Sequence, residues 1–171
     1  MAKVIMTCGR ICSGKSTYSE KLRRELPAVV LSVDEIMLAL FGQDAGEMHG
    51  TYVERAESCL FEKSVQIVGT GINVVLDIGL WTREERRFAR EFFSSRGVAC
   101  ELHYVSVPEE EWHRRIEKRN AAVRAGECSA YFVDAGLAEK SAGLFEPPSE
   151  DEFDLIVHQT SPIPEKAAGQ G

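Results

Sequence analysis

The chain has 171 residues, 44% of them hydrophobic and 27% charged, and a formal net charge of −7. That length suits one globular domain with a real core, and the acidic surplus disfavours a long nucleic-acid footprint, which needs a basic face. The longest apolar runs are strand-sized and too short for a membrane span, no signal peptide precedes the first strand, and five dispersed cysteines without C-x-x-C spacing read as reduced thiols, so a cytoplasmic location is expected.

The first apolar run, residues 3–8, leads into Gly9-Arg10-Ile11-Cys12-Ser13-Gly14-Lys15-Ser16, which fits G-x-x-x-x-G-K-[ST]. A strand, a glycine-rich turn and a helix N-terminus in succession make an anion cradle from backbone N–H groups. Gly9, Ile11, Cys12, Ser13, Gly14, Lys15, Ser16 and Thr17 are the expected nucleotide contacts. Lys15 is expected on the β- and γ-phosphates of ATP, and the Ser16 hydroxyl on Mg²⁺. Cys12 stands where positive potential would lower a thiol pKa, although the motif leaves that position free, and a filler role is preferred.

A helix over residues 15–26 ends before Pro27. A strand over 28–33 leads to a short helix, 34–41, stopped by Gly42. Residues 43–50 are polar and glycine-rich and are read as a mobile connection. A helix over 51–68 follows, with apolar positions at helical spacing. The strand at 73–78 is continuously apolar through Val74-Val75-Leu76, which suggests burial on both faces of a parallel sheet. Thr82-Arg83-Glu84-Glu85 opens a helix over 82–96 with a capping box. A strand over 99–107 and a helix over 108–120 follow, the helix starting on proline with acids early and bases late. Residues 121–129 interrupt the helices, a further helix lies at 129–142, and a last strand at 153–158. Strands alternating with helices give an α/β fold with a parallel sheet. A single domain over residues 1–160 is expected, with a lid at roughly 120–143 and a disordered tail at 161–171.

Other residues choose among phosphate-loop chemistries. No N-K-x-D guanine reader is present, and Val74-Val75-Leu76-Asp77 is followed by Ile78 rather than a water-polarising glutamate. Transfer to a hydroxyl is therefore favoured over hydrolysis. In an open α/β sheet the ligand crevice lies beyond the carboxyl ends of the strands, where Asp34 and Asp77 are expected. Asp34 is the candidate general base, and the same residue would serve as a plain helix N-cap. Asp77 is a candidate for the Mg²⁺ shell or for a structural hydrogen bond to the phosphate loop. Arg115 and Arg119 are four apart on one helix face and are candidate clamps for the transferring phosphoryl group.

Together these residues resemble the small P-loop kinases that include polynucleotide 5′-kinases, zeta toxins, chloramphenicol phosphotransferase and gluconate kinase. The resemblance rests on the phosphate loop, Leu31-Ser32-Val33-Asp34-Glu35, the Val75-Leu76-Asp77 strand, the Arg115/Arg119 pair and Phe145-Glu146-Pro147-Pro148. It implies a P-loop NTPase, nucleotide-kinase-like α/β/α fold in three layers, with five parallel strands in the order 2-3-1-4-5 and a helical lid. It also implies that Asp34 activates a substrate hydroxyl and that Arg115 and Arg119 are lid arginines near ATP.

Where the polynucleotide kinases and zeta toxins carry a substrate-holding arginine three residues after that aspartate, this chain has Met37. An apolar residue there does not pair with a phosphate or carboxylate. Met37, Phe41, Met48, His49, Tyr52 and Trp81 are candidates for a partly apolar acceptor pocket, with Trp81 the strongest. Met37 and Phe41 also fit a core role and His49 a surface one; Arg83, Arg86 and Arg87 are candidates to bind an anionic acceptor, with a charged outer helix face the simpler reading. The expected activity is transfer of the γ-phosphoryl group of Mg·ATP to a hydroxyl of a small molecule or a nucleic-acid end, by a monomer or homodimer. A nucleotide-binding regulatory module with weak hydrolysis and a zeta-type toxin kinase are the alternatives.

Overall fold

The computed structural model describes residues 1–158; the expected tail at 161–171 lies outside them. Strands β1 (Val4–Cys8) and β3 (Asn73–Asp77) form the centre of the sheet, and all of β1 and all but the first residue of β3 are buried. Their unbroken apolar runs suit strands covered on both faces. β2 (Ala28–Ser32) pairs with β3, and β4 (Cys100–Ser106) pairs with β1 and with β5 (Leu155–His158). Every pairing is parallel and the order is β2-β3-β1-β4-β5, which is the expected fold class.

Alternation along β1 sorts the two helical layers. Val4, Met6 and Cys8 face a cluster with Val33 and Met37 of α2 (Val33–Phe41), Leu60 and Phe61 of α3 (His49–Gly69), and Ala89 and Phe93 of α4 (Arg83–Ser94). Ile5 faces the other side, against Tyr18 and Leu22 of α1 (Lys15–Glu25). A third cluster joins Cys12 to Trp112 and Ile116 of α5 (Glu109–Arg124) and to Val133, Leu137 and Ala138, the last two on α6 (Ala135–Leu144).

Local signals were read correctly at α4, where Thr82 and Glu85 form the full capping box. Asp34 is not the cap of α2: Ser32 is, its hydroxyl accepting from the Glu35 N–H at 3.3 Å. That leaves the Asp34 carboxylate in the first turn with no capping duty. Residues 43–50 hold a 3₁₀ turn, Gly46–Met48, and the start of α3. α5 runs four residues past Asn120, and α6 begins only after the cap Asp134, so that Gly136 lies in its first turn. Among the described residues no helix is long and apolar enough to cross a membrane.

Candidate nucleotide and acceptor site

The loop between β1 and α1 has the backbone that its glycines permit. Gly9 has φ 150°, and a Cβ there would stand 2.5 Å from the Val105 carbonyl oxygen and 2.8 Å from Ser13 Oγ. Gly14 has φ 104° and caps α1 without a side-chain hydrogen bond, which leaves first-turn amides available to an anion. Lys15 Nζ donates to the carbonyls of Gly9 and Arg10, 3.0 Å each. Burial pulls the Lys15 pKa down, while the charges of Asp77 and then Asp34 push it back up. Ser16 and Thr17 are exposed at the start of α1.

The loop is braced from outside by α5. Trp112 Nε1 donates to the Ile11 carbonyl at 2.7 Å, and Arg115 Nη1 to the Ser13 carbonyl at 2.8 Å. The Arg10 guanidinium lies 4.4 Å over the Trp112 ring and pairs with Glu109 at 2.7 Å. Cys12, at φ 60°, is buried, and burial pushes its thiol pKa up despite the pull of Arg119, Lys15 and Arg115. It is a filler rather than a reactive thiol. The Ser13 hydroxyl is buried with no hydrogen-bond partner among the described residues.

Asp77 ends β3, is 8% exposed, and accepts from Thr7 Oγ1 at 3.4 Å. Asp34, in the first turn of α2, reaches solvent, yet desolvation raises its pKa; Lys15 opposes this, Asp77 adds to it, and Arg119 and His49 oppose it in turn. Lys15, Asp34, Asp77 and Arg119 thus share one electrostatic site at the carboxyl edge of the sheet. The two arginines differ. Arg115 is engaged by Glu111 at 2.7 Å as well as by Ser13. Arg119 makes no hydrogen bond or ion pair among the described residues, and its charge acts on Cys12, Lys15 and Asp34.

On the acceptor side, the expectation that Met37 lines a pocket fails. It is 1% exposed and packs in the core with Val33 and Leu60, because its place in α2 turns it toward the sheet. Trp81 is half-buried and folds back over Gly79, its Nε1 lying 2.7 Å from where a Gly79 Cβ would be. The Gly79 carbonyl in turn accepts from the Gly9 N–H at 3.4 Å. Phe41 and Met48 are exposed, Phe41 stacking on Tyr52 at 4.8 Å. His49 meets the ring of Tyr131 edge-on at 5.9 Å.

Arg86 departs from its expected place on an outer face. It is 2% exposed, pairs with Glu152 at 2.9 Å, and donates to the carbonyls of Leu80, Trp81 and Glu146. Arg83 and Arg87 are exposed, as expected. Sequence reasoning missed Gln43, Glu57, Asn120 and Tyr131. Glu57 alone had a readable signal: it falls on the apolar stripe of its helix.

Residues 4–138 match the family model described as AAA domain. No curated protein matches the chain. Among solved structures, a Chloroflexus aurantiacus j-10-fl protein provisionally described as a kinase superposes with a TM-score of 0.71 at 15% identity, covering 96% of this chain and 88% of that one. A gluconokinase of Sinorhizobium meliloti 1021 gives 0.66 at 16%, covering 94% and 84%. The APS kinase CysC of Mycobacterium tuberculosis, in complex with AMPPNP and APS, gives 0.56 at 20%, covering 92% and 88%. At these identities the likeness is one of fold.

Proposed function

The chain belongs to the AAA domain family, and from that premise we propose that it is a phosphotransferase that moves the γ-phosphoryl group of ATP to a hydroxyl acceptor in the cytoplasm. One observation carries the reading: the phosphate-loop lysine, Lys15, opens the helix after β1 while Asp77 ends the neighbouring β3 and Asp34 follows the end of β2, whose Ser32 lies in register with Asp77, so all three sit at the same edge of the sheet. The fold shared with proteins described as kinases supports it.

The cradle suits a polyphosphate. Gly9 leaves no room for a side chain, the first-turn amides of α1 open toward the loop, and Lys15 holds backbone carbonyls that phosphate oxygens would outcompete. Ser16 and Asp77 offer the hard oxygen donors that Mg²⁺ accepts, and that ion takes its remaining ligands from phosphates and water. Held there by Ser16 and Asp77, Mg²⁺ would neutralise charge developing on the transferring phosphoryl group.

In the proposed step Asp34 takes the proton of the acceptor hydroxyl. The acceptor oxygen forms its bond to the γ-phosphorus as the bond to the bridging oxygen breaks, and ADP leaves. A carboxylate whose pKa is raised by desolvation is a better base than a free one. Lys15 and Arg119 stabilise the charge on the transferring group, and Arg115 fixes the loop that carries it.

The test is Asp34→Asn, assayed for transfer from labelled ATP across a panel of hydroxyl compounds and for Mg·ATP binding by calorimetry. Retained binding with lost transfer is expected. Transfer at the parental rate would reject Asp34 as base, and a parent that does not bind Mg·ATP would reject the function.

A further inference from the structure

Asp77 ends β3, and the chain leaves the sheet through Ile78, Gly79, Leu80 and Trp81 before Thr82 caps α4. Leu80 takes φ 45°, a left-handed conformation that is costly for a residue with a Cβ. The adjacent glycine could adopt it freely, yet Gly79 is not at positive φ. A Cβ on Gly79 would instead strike the Trp81 ring, 2.7 Å from Nε1. The Leu80 side chain is buried in the main core cluster, so the strained backbone is pinned from inside. Strain of this kind persists only where the surroundings over-determine it.

Arg86 supplies those surroundings. Its buried Nη1 donates to the carbonyls of Leu80 and Trp81, 3.2 Å each, and of Glu146, 2.9 Å, while its Nε donates to Glu152 Oε2 at 2.9 Å. The turn is closed from the other side as well. The Glu146 N–H donates to the Trp81 carbonyl at 2.8 Å, and the Arg83 N–H to Glu146 Oε2 at 2.7 Å. Ser149 fixes Glu152, its N–H and hydroxyl donating to Oε1 at 3.0 and 2.8 Å. Residues 145–149 belong to no helix or strand, and these bonds lay them against the turn. One residue before Leu80, the Gly79 carbonyl accepts from the N–H of Gly9, the first residue of the phosphate loop, at 3.4 Å. A buried guanidinium, a strained leucine and the start of the phosphate loop are therefore successive links.

We propose that Arg86 is a positioning residue for the phosphate loop: by holding the Leu80 and Trp81 carbonyls it sets the turn whose Gly79 carbonyl receives Gly9, and it couples that turn to residues 146–152. It acts through the backbone rather than on the phosphates. This rests on the Mg·ATP cradle of the phosphotransferase reading and adds to that reading what holds the cradle in place. A guanidinium fits the task, since its fork serves Glu152 with one nitrogen and the carbonyls with another. Glu152 has a different duty, which is to offset a charge that burial makes costly. The two partners should therefore fail in different ways.

The test compares Arg86→Lys with Glu152→Gln in the full chain. Arg86→Lys keeps the charge opposite Glu152 and gives up the fork. Glu152→Gln leaves the guanidinium on its carbonyls and gives up the counter-charge. Both should be less stable to urea. Only Arg86→Lys should weaken Mg·ATP binding by calorimetry, about tenfold, the low end for residues that support a ligand's direct contacts. It alone should red-shift Trp81 emission in a Trp112→Phe background and speed exchange of the Glu146 amide about tenfold or more. A merely structural Arg86 would make affinity and emission follow stability in both variants. Parental affinity and emission in a folded Arg86→Lys, or equal losses in Glu152→Gln, overturns the proposal while leaving phosphotransfer intact. If Arg86→Lys does not fold, the parent decides: slow exchange of the Glu146 amide is expected, and exchange as fast as in an unstructured peptide overturns the proposal. A parent that does not bind Mg·ATP rejects the phosphotransferase reading and this proposal with it.

Discussion

The Phe132 N–H donates to Gln43 Oε1 at 2.9 Å while Gln43 Nε2 donates to the Ala130 carbonyl at 2.8 Å. One side-chain amide thus pairs with an extended backbone as a neighbouring strand would. One residue on, Asn120 does the same to Val133, at 2.7 and 2.8 Å. The segment between them spans the site. Val133 packs beside Cys12 and Trp112 on the phosphate-loop side, and Tyr131 meets His49 on the acceptor side.

Gln43→Ala removes two neutral hydrogen bonds at an exposed position, worth about 1 kcal/mol each at most. Global stability should therefore change little, whereas the amide of Phe132 should exchange about tenfold faster or more. Hydrogen exchange resolved to residues 130–133 checks this, and unchanged protection there would mean that Asn120 suffices to hold the segment.

Arg115 and Arg119 should fail differently. Arg115→Ala removes a charged donor from the Ser13 carbonyl and leaves Glu111 without that partner. It should weaken Mg·ATP binding and cost about 1–3 kcal/mol of stability. Arg119→Ala breaks no hydrogen bond or ion pair among the described residues, so folding and binding should persist while turnover falls about 10²–10³-fold. Calorimetry and single-turnover transfer on the two variants separate loop positioning from charge stabilisation. Matching defects would dissolve the distinction.

The sheet, its strand order and the phosphate loop were legible because each has a local signature: continuous apolar runs, a glycine pattern, a capping box. The plainer reading of Asp34, as the cap of α2, gives way to Ser32 two residues earlier, which is an equally good cap. Met37 was misread because the family position was taken for a cleft, whereas helical phase sends that side chain into the core. Arg86 gave no sequence signal. Its guanidinium is buried only because residues 146–152 return across the start of α4 and present Glu152 and backbone carbonyls. Gln43 and Asn120 act through contacts 87 and 13 residues away along the chain, and no local pattern encodes such pairing.

Two carboxylates should give stability opposite slopes with pH. Burial opposes charge on Glu152, but the hydrogen bond from Arg86 and those from Ser149 win and bring its pKa from 4.5 to about 2. The unfolded chain binds more protons there, so this contribution is complete above pH 4.5 and is lost as pH falls through 2. Glu57 is the reverse. Its pKa rises from 4.5 to about 7, so the folded chain binds more protons and stability declines as pH climbs through that window. Urea unfolding from pH 3 to pH 8 should show a maximum, and Glu57→Gln should flatten the alkaline side alone. A Glu57→Gln profile that still declines between pH 5 and pH 8 would assign that slope to other groups.

Gly9 and Gly79 lie on either side of one hydrogen bond, yet alanine should cost far more at the first. At Gly9 the added Cβ would meet a backbone oxygen, Val105 O, at 2.5 Å, and φ is 150°. Neither the strand nor the dihedral can yield cheaply, so Gly9→Ala should abolish Mg·ATP binding and destabilise by about 2 kcal/mol or more. At Gly79 the obstacle is a side chain, the Trp81 ring, with Nε1 at 2.7 Å and Cδ1 at 2.9 Å. The ring can swing outward, so Gly79→Ala should fold and bind Mg·ATP while disturbing the acceptor side. Only two tryptophans are present, and Trp112 is buried against the loop, so fluorescence in a Trp112→Phe background reports Trp81 alone. A red shift in Gly79→Ala with unchanged nucleotide affinity is expected. An unshifted spectrum would mean that the backbone, not the ring, gives way.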